Sequence, residues 1–198
     1  MQINWPKSIF VALILFGAWN WWSERDVARP PGVIAEQFPK QAGAGSARRF
    51  IHNGYEITPL QSFEISARVL GATVYRFDRE AKIAPVDLAL GWGRMSDSEV
   101  LKAIRISQSG RFYFWQTDAF PIPRREIETF SANMHMIPST AAIDAALRAV
   151  RTGQLVTVRG YLVEVRAPDG WRWRSSLTRE DTGAGACELV WVEALSVQ

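Results

Sequence analysis

The chain has 198 residues with 23 basic and 20 acidic side chains, a net charge of +3, and that balance gives no sign of a nucleic-acid binder, which concentrates basic charge in a stripe. An apolar content of 47%, with nine tryptophans, is enough for a real core. The single cysteine, Cys187, excludes an internal disulfide and suits either the cytosol or a periplasmic protein that relies on packing.

In chain order, Lys7 precedes an uncharged run from Ser8 to Trp22 that ends in Trp19, Trp21 and Trp22. A helix beginning near Ile3, with Lys7 snorkelling, reaches the roughly 20 residues a membrane span needs, and tryptophan at one end fits an interfacial belt. Bulky residues and charges stand where a signal-peptidase site would need small ones. The pattern predicts an uncleaved signal-anchor over residues 1–23, the short tail in the cytoplasm and the rest exported. In a bacterium that means a single-pass inner-membrane protein with its domain in the periplasm. Residues 24–48, rich in Pro, Gly and Ala, read as a flexible tether, and residues 49–198 as one α+β domain.

Within that domain, Phe50 to Ile57 reads as a strand broken by Asn53-Gly54. Phe63, Ile65, Ala67 and Val69 alternate with Glu64, Ser66 and Arg68, the period of a half-buried strand, with Gly71 marking a bend or bulge. The apolar run Pro85 to Gly93 is read as buried. Ser96-Asp97-Ser98-Glu99 has the form of a capping box, with Ser96 as N-cap of a helix reaching about Ser107. Gly110 precedes an aromatic strand, Arg111 to Thr117, and a short polar helix follows near Arg124 to Phe130. A further helix is expected from Thr140 to Thr152, with Ser139 as N-cap and Gly153 just past its end.

The C-terminal part carries the strongest strand signal. Leu155 to Val165 is extended and apolar, and Pro168-Asp169-Gly170 supplies turn chemistry, because glycine accepts positive φ without steric cost. Beyond it Trp171, Trp173 and Ser175 should share one face and Arg172, Arg174 and Ser176 the other. A loop from Asp181 to Gly185 leads to a last strand, Cys187 to Val192. Two covering helices over a bent antiparallel sheet or small OB-like barrel, kinked at Gly160, is the predicted architecture.

Three constellations could carry function. Trp171, Arg172, Trp173, Arg174 and Arg179, with Arg159 and Arg166 nearby, interleave rings and guanidiniums that suit an anionic ligand or an envelope protein partner; the plain alternative is a core face and a solvated face. Met134-His135-Met136 offers soft ligands that suit copper(I), although an extended chain puts the thioethers opposite the imidazole, and His52 and Met95 lie far away. A hydrolase would need His135 beside Cys187, Ser175 or Ser176, oriented by Asp181, and no known motif supports it. Cys187, at the head of an apolar strand, reads as a buried inert thiol. The expectation is therefore a non-enzymatic, membrane-anchored binding domain, an accessory or assembly factor, with no nucleic acid and no cofactor.

Overall fold

The structure, a computed structural model, describes residues 25–178 and 187–198, with Ile9, Phe10, Leu13, Ile14 and Gly17 as isolated helical positions in the N-terminal segment. Strands β1 (Lys40–Gly43), β2 (Phe50–His52), β3 (Tyr55–Val74) and β4 (Val86–Gly91) come first, followed by helix α1 (Ser98–Lys102) and the pair β5 (Arg105–Ser109) and β6 (Phe112–Gln116). Helix α2 (Arg124–Thr129), β7 (Ser131–Pro138), α3 (Ala141–Arg148), β8 (Leu155–Arg166), β9 (Arg172–Arg174) and β10 (Glu188–Val197) complete the order. The protein is mostly sheet, and these three helices are short.

One long strand organises the sheet. β3 pairs β4 through its C-terminal half and β8 along most of its length, and β7 links β4 to β10, which returns to β8. The expected alternation of β3 is present: Phe63, Ile65, Ala67 and Val69 are buried, while Glu64, Ser66 and Arg68 keep some exposure. The buried set packs with Leu88, Leu90, Met134, Met136, Val158 and Val190 in the main core. A second apolar cluster around Ile57, Ile137, Val165 and Leu189 lies on the other face, joined by Trp171 and Trp173. The β5–β6 hairpin closes a third over Ala89, Ile104 and Ile127. The bulge expected near Gly71 is a register shift between Val69 and Gly71, and Asn53 and Gly54 both take positive φ in the turn between β2 and β3.

Several expectations need correction. The sheet is mixed, not antiparallel, because β7 and β10 run parallel; helix α3 turns the chain before β8, and β9 intervenes before β10. Among the described residues the three α-helices expected along the chain are all present, one more than the two assigned to cover the sheet. Ser96 is no N-cap: its buried hydroxyl accepts from the amides of Ile34 and Ala35 and donates to Gly93 O. Asp97 caps α1 by accepting from the Glu99 amide. The helix ends at Lys102 because Gly110 and Arg111, both at positive φ, close a two-residue turn that commits Arg105–Ser109 to pairing. Thr140, not Ser139, caps α3, which stops at Arg148, and Gly153 at φ +86° instead admits the carbonyl of Val27.

The stretch read as a flexible tether is held along the domain. Val27 N donates to Thr152 O, Arg29 reaches Gly153 O, Gly32 N donates to Asp97, Ala35 is buried, and β1 pairs β3. Composition suggested mobility, but the Ser96 hydroxyl and the edge of β3 supply partners that sequence cannot display. The signal-anchor expected over residues 1–23 falls almost wholly outside the described residues. Among the described residues no helix is long and apolar enough to cross a membrane.

Candidate functional site

Glu164 sits in β8 between Val163 and Val165, and its side chain is buried although those of its two neighbours along the strand are apolar. A buried carboxylate must be paired, and three arginines do so. Arg166 Nε donates to Oε1 at 2.6 Å, Arg174 Nη1 to Oε2 at 2.8 Å, and Arg172 Nη2 to the same oxygen. The β8–β9 register creates this, placing Arg174 opposite Glu164 and Arg172 opposite Arg166. The arginine heads remain about half exposed, at 55%, 52% and 45% for Arg166, Arg172 and Arg174. They border an open hollow of about 440 Å³ also lined by Arg49, Glu56, Thr58 and Leu60, with Glu56 opposite Arg166 and Thr58 opposite Glu164 across the β3–β8 ladder. Arg49 and Glu56 form a long surface pair at 3.4 Å.

Burial by itself would raise the Glu164 carboxyl, but hydrogen bonds from Arg174, Arg166 and Arg172 outweigh it and hold the group down at about 2. A depressed native value means that Glu164 binds fewer protons folded than unfolded, so its contribution is complete above the ordinary value of 4.5 and is lost as pH falls toward about 2. Replacing Glu164 by Gln should therefore flatten the acid limb of a melting-temperature profile over that window. At neutral pH the same variant should lose about 1–3 kcal/mol, the cost of weakened charged hydrogen bonds among arginines that can regain water. Thermal melts across that pH range check both, and an unchanged acid limb would show that the carboxylate is not held by this pairing.

Trp171 and Trp173 lie on the opposite face of β9, half-buried against the second apolar cluster, while Arg172 and Arg174 point outward. The expected alternation is present from Trp171 to Arg174 but not at Ser175 and Ser176, which are both buried beyond the end of β9. Arg79 stacks over Trp171 at 4.7 Å and pairs with Asp169 at 2.7 Å, tying the β3–β4 loop to the β8–β9 turn. Arg159 stands apart, paired with Glu64 at 3.1 Å. Arg179 and Asp181 lie outside the described residues.

A second polar cluster is buried beneath the β5–β6 hairpin. Asp87 and His135 face each other across β4 and β7, and His135 Nδ1 lies 2.9 Å from Asp87 Oδ1. A carboxylate only accepts, so the ring proton sits on Nδ1. Arg111 donates to the same oxygen at 2.9 Å and to Ala84 O, and grips Asp78 through Nε and Nη2. Its guanidinium also lies 3.8 Å from the centre of the Tyr75 ring. Arg111 takes φ +71°, a conformation that costs an L-residue roughly 1–2 kcal/mol and is held here by five neighbours. Asn133 and Gln108 extend the network at 2.7 Å. The Trp173 ring covers His135 at 4.7 Å.

The residues proposed for hydrolysis do not assemble around this histidine. Ser175 is buried and satisfied, donating to Ser176 O and accepting from Leu189 N, and Ser176 bonds within its own turn to Thr178. Cys187 is half-exposed, not buried as expected, because β10 begins one residue later and its carbonyl accepts from Ser176 N. Among the described residues the one hydrogen-bond partner of the His135 ring is Asp87. Met134 and Met136 are buried in the main core on the face of β7 opposite His135, so the extended strand separates the three copper candidates. Among the described residues no group of three or more His, Cys, Asp or Glu side chains could hold a metal.

The chain matches no family model, no curated protein and no solved structure. Sequence reading missed Glu164, Asp87 and Arg111. The signal for the first two was present, as single acids inside apolar strands, Val163-Glu164-Val165 and Val86-Asp87-Leu88, since a charge in a core position demands a partner.

Proposed function

We propose that the chain is a non-enzymatic, membrane-anchored binding domain of a bacterial envelope, exported to the periplasm, whose β8–β9 arginine face engages an anionic ligand or partner. The observation that carries this reading is the gathering of Arg166, Arg172 and Arg174, half-exposed, around buried Glu164 at the edge of an open hollow. Each guanidinium has five N–H donors in a fixed fork, and each spends one nitrogen on Glu164. Among the described residues their other nitrogens make no further hydrogen bond, so they are available to an incoming anion.

Within the same reading the domain is an OB-like barrel. In support, β3, β4, β7, β10 and β8 pair in a cycle that returns to β3, with a helix between β7 and β8. The β4–β7 face, where such barrels commonly take oligonucleotides, is occupied here by the β5–β6 hairpin and Trp173. That favours the arginine face over a nucleic-acid platform. The anchor rests on Lys7, the apolar run and the tryptophans that follow it.

Two experiments test the proposal. Replacing Arg172 and Arg174 together by Ser should abolish retention of the full chain on an anionic matrix and cost about 1–3 kcal/mol of stability, because it removes two of the three partners of buried Glu164. Retention of the natural chain should fall between 0.1 and 1 M salt, as screening shortens from about 10 to 3 Å. Undiminished retention of the double variant sinks the binding claim. Membrane fractionation with N-terminal sequencing tests the anchor, and a mature chain starting after Trp22 overturns it.

A further inference from the structure

We infer that the hollow beside β8 and β9 is a site for a phosphate dianion, either free or as the terminal group of a larger molecule such as a lipid. The inference rests on the reading of the arginine face as an anion-binding surface and narrows it to one ligand chemistry.

The charge of the hollow favours a dianion. Four guanidiniums, of Arg49, Arg166, Arg172 and Arg174, and two carboxylates, of Glu56 and Glu164, border the hollow, which leaves an excess of two positive charges. A doubly charged anion neutralises that excess, whereas a single carboxylate leaves half of it. Its geometry favours a phosphate. Glu164 lies beneath the three arginines of β8 and β9 and holds one nitrogen of each, so their remaining donors are presented together before any ligand arrives. Such prior ordering removes part of the entropic cost of binding. One carboxylate has two oxygens and fills one guanidinium fork. A phosphate monoester has three terminal oxygens and can accept from several forks at once.

The position of Glu164 answers an obvious objection, that a carboxylate should repel an anion. Its side chain is only 4% exposed, and both oxygens are already covered by guanidinium N–H groups. Glu56, opposite Arg166 across the β3–β8 ladder and paired with Arg49, is 32% exposed, and Arg49 is 70% exposed. An incoming dianion can draw Arg49 inward while Glu56 turns to water. Thr58, opposite Glu164 across the same ladder, adds a hydroxyl donor.

The test is isothermal titration of the full detergent-solubilised chain with inorganic phosphate, with glutarate as a dicarboxylate of equal charge, and with mixed micelles containing phosphatidic acid or phosphatidylcholine. Phosphate should bind at least about tenfold more tightly than glutarate, and affinity should fall several-fold between pH 8 and pH 5. Arginine does not titrate there, whereas a phosphate group loses its second charge within that range, at about 6 for a monoester and nearer neutrality for inorganic phosphate. Arg172→Ser with Arg174→Ser should weaken phosphate at least about tenfold. Arg172→Lys with Arg174→Lys, which keeps the charge but not the forks, should weaken it several-fold and guards against misfolding of the serine variant. Preference for phosphatidic acid micelles over free phosphate assigns the phosphate to a lipid headgroup, and equal binding assigns it to a soluble phosphate. Glutarate binding as tightly as phosphate through the same arginines overturns the phosphate assignment and leaves the anion surface standing. Binding of neither anion, or binding untouched by all arginine variants, overturns both.

Discussion

Replacing Asp87 by Ala should destabilise the protein by about 3–5 kcal/mol, the range for removing one partner of a buried ion pair. Asp87 is fully buried and accepts from Arg111 and His135 through one oxygen, so its loss strands a guanidinium that is itself only 13% exposed. Arg111 keeps its grip on Asp78, which places the expected cost toward the lower end. The damage should be local as well as global. Arg111 is in the turn of the β5–β6 hairpin, and through Asp87 it ties that hairpin to β4. Hydrogen exchange of amides 105–116 should accelerate more than that of β3 or β8, because a hairpin with fewer buried contacts opens first. Urea unfolding measures the first effect and exchange mass spectrometry the second. A loss under 1 kcal/mol with unchanged exchange in the hairpin would mean that apolar packing around Ile104 and Tyr113, not the charged network, seats it.

Replacing Gly160 by Ala should cost about 3 kcal/mol or more, at the upper end of what overpacking does. A β-carbon built there would stand 1.8 Å from the carbonyl oxygen of Trp191. The obstacle is backbone, so no side-chain rotation relieves it, and β8 must part from β10 beside the register shift at Val192 and Ala194. Gly170→Ala gives the comparison. That glycine has φ +89° but open space around it, so only the conformational cost of about 1–2 kcal/mol applies. Equal losses in the two variants, read from chemical denaturation, would remove the close approach as the reason for glycine at 160.

Local pattern carried much of the fold. The alternation of Phe63, Ile65, Ala67 and Val69, the Asn53-Gly54 turn, the bulge at Gly71 and the hairpin around Gly170 are settled by neighbours a few residues away, through side-chain period and the φ that a turn demands. The opposite facing of the tryptophans and arginines in β9 follows from the same period of two. Boundaries were less legible wherever a distant partner competed with a local one. Ser96 has the sequence of an N-cap, but Ile34 and Ala35 claim its hydroxyl, 62 and 61 residues away in the chain.

What the sequence determined by itself was which residues must leave water and which way each strand faces, since both depend on side-chain chemistry and backbone period alone. The tertiary structure decided the partners. The parallel pairing of β7 with β10, the docking of residues 27–43 and the Asp87–Arg111–His135 cluster all join segments far apart in the chain. Glu164 shows both sides of this division. Its place between two valines announces a buried charge, while the identity and geometry of the three arginines around it depend on how β9 folds back onto β8. That register depends on where the β8–β9 turn closes, and a slip of one would turn Arg172 and Arg174 to the opposite face.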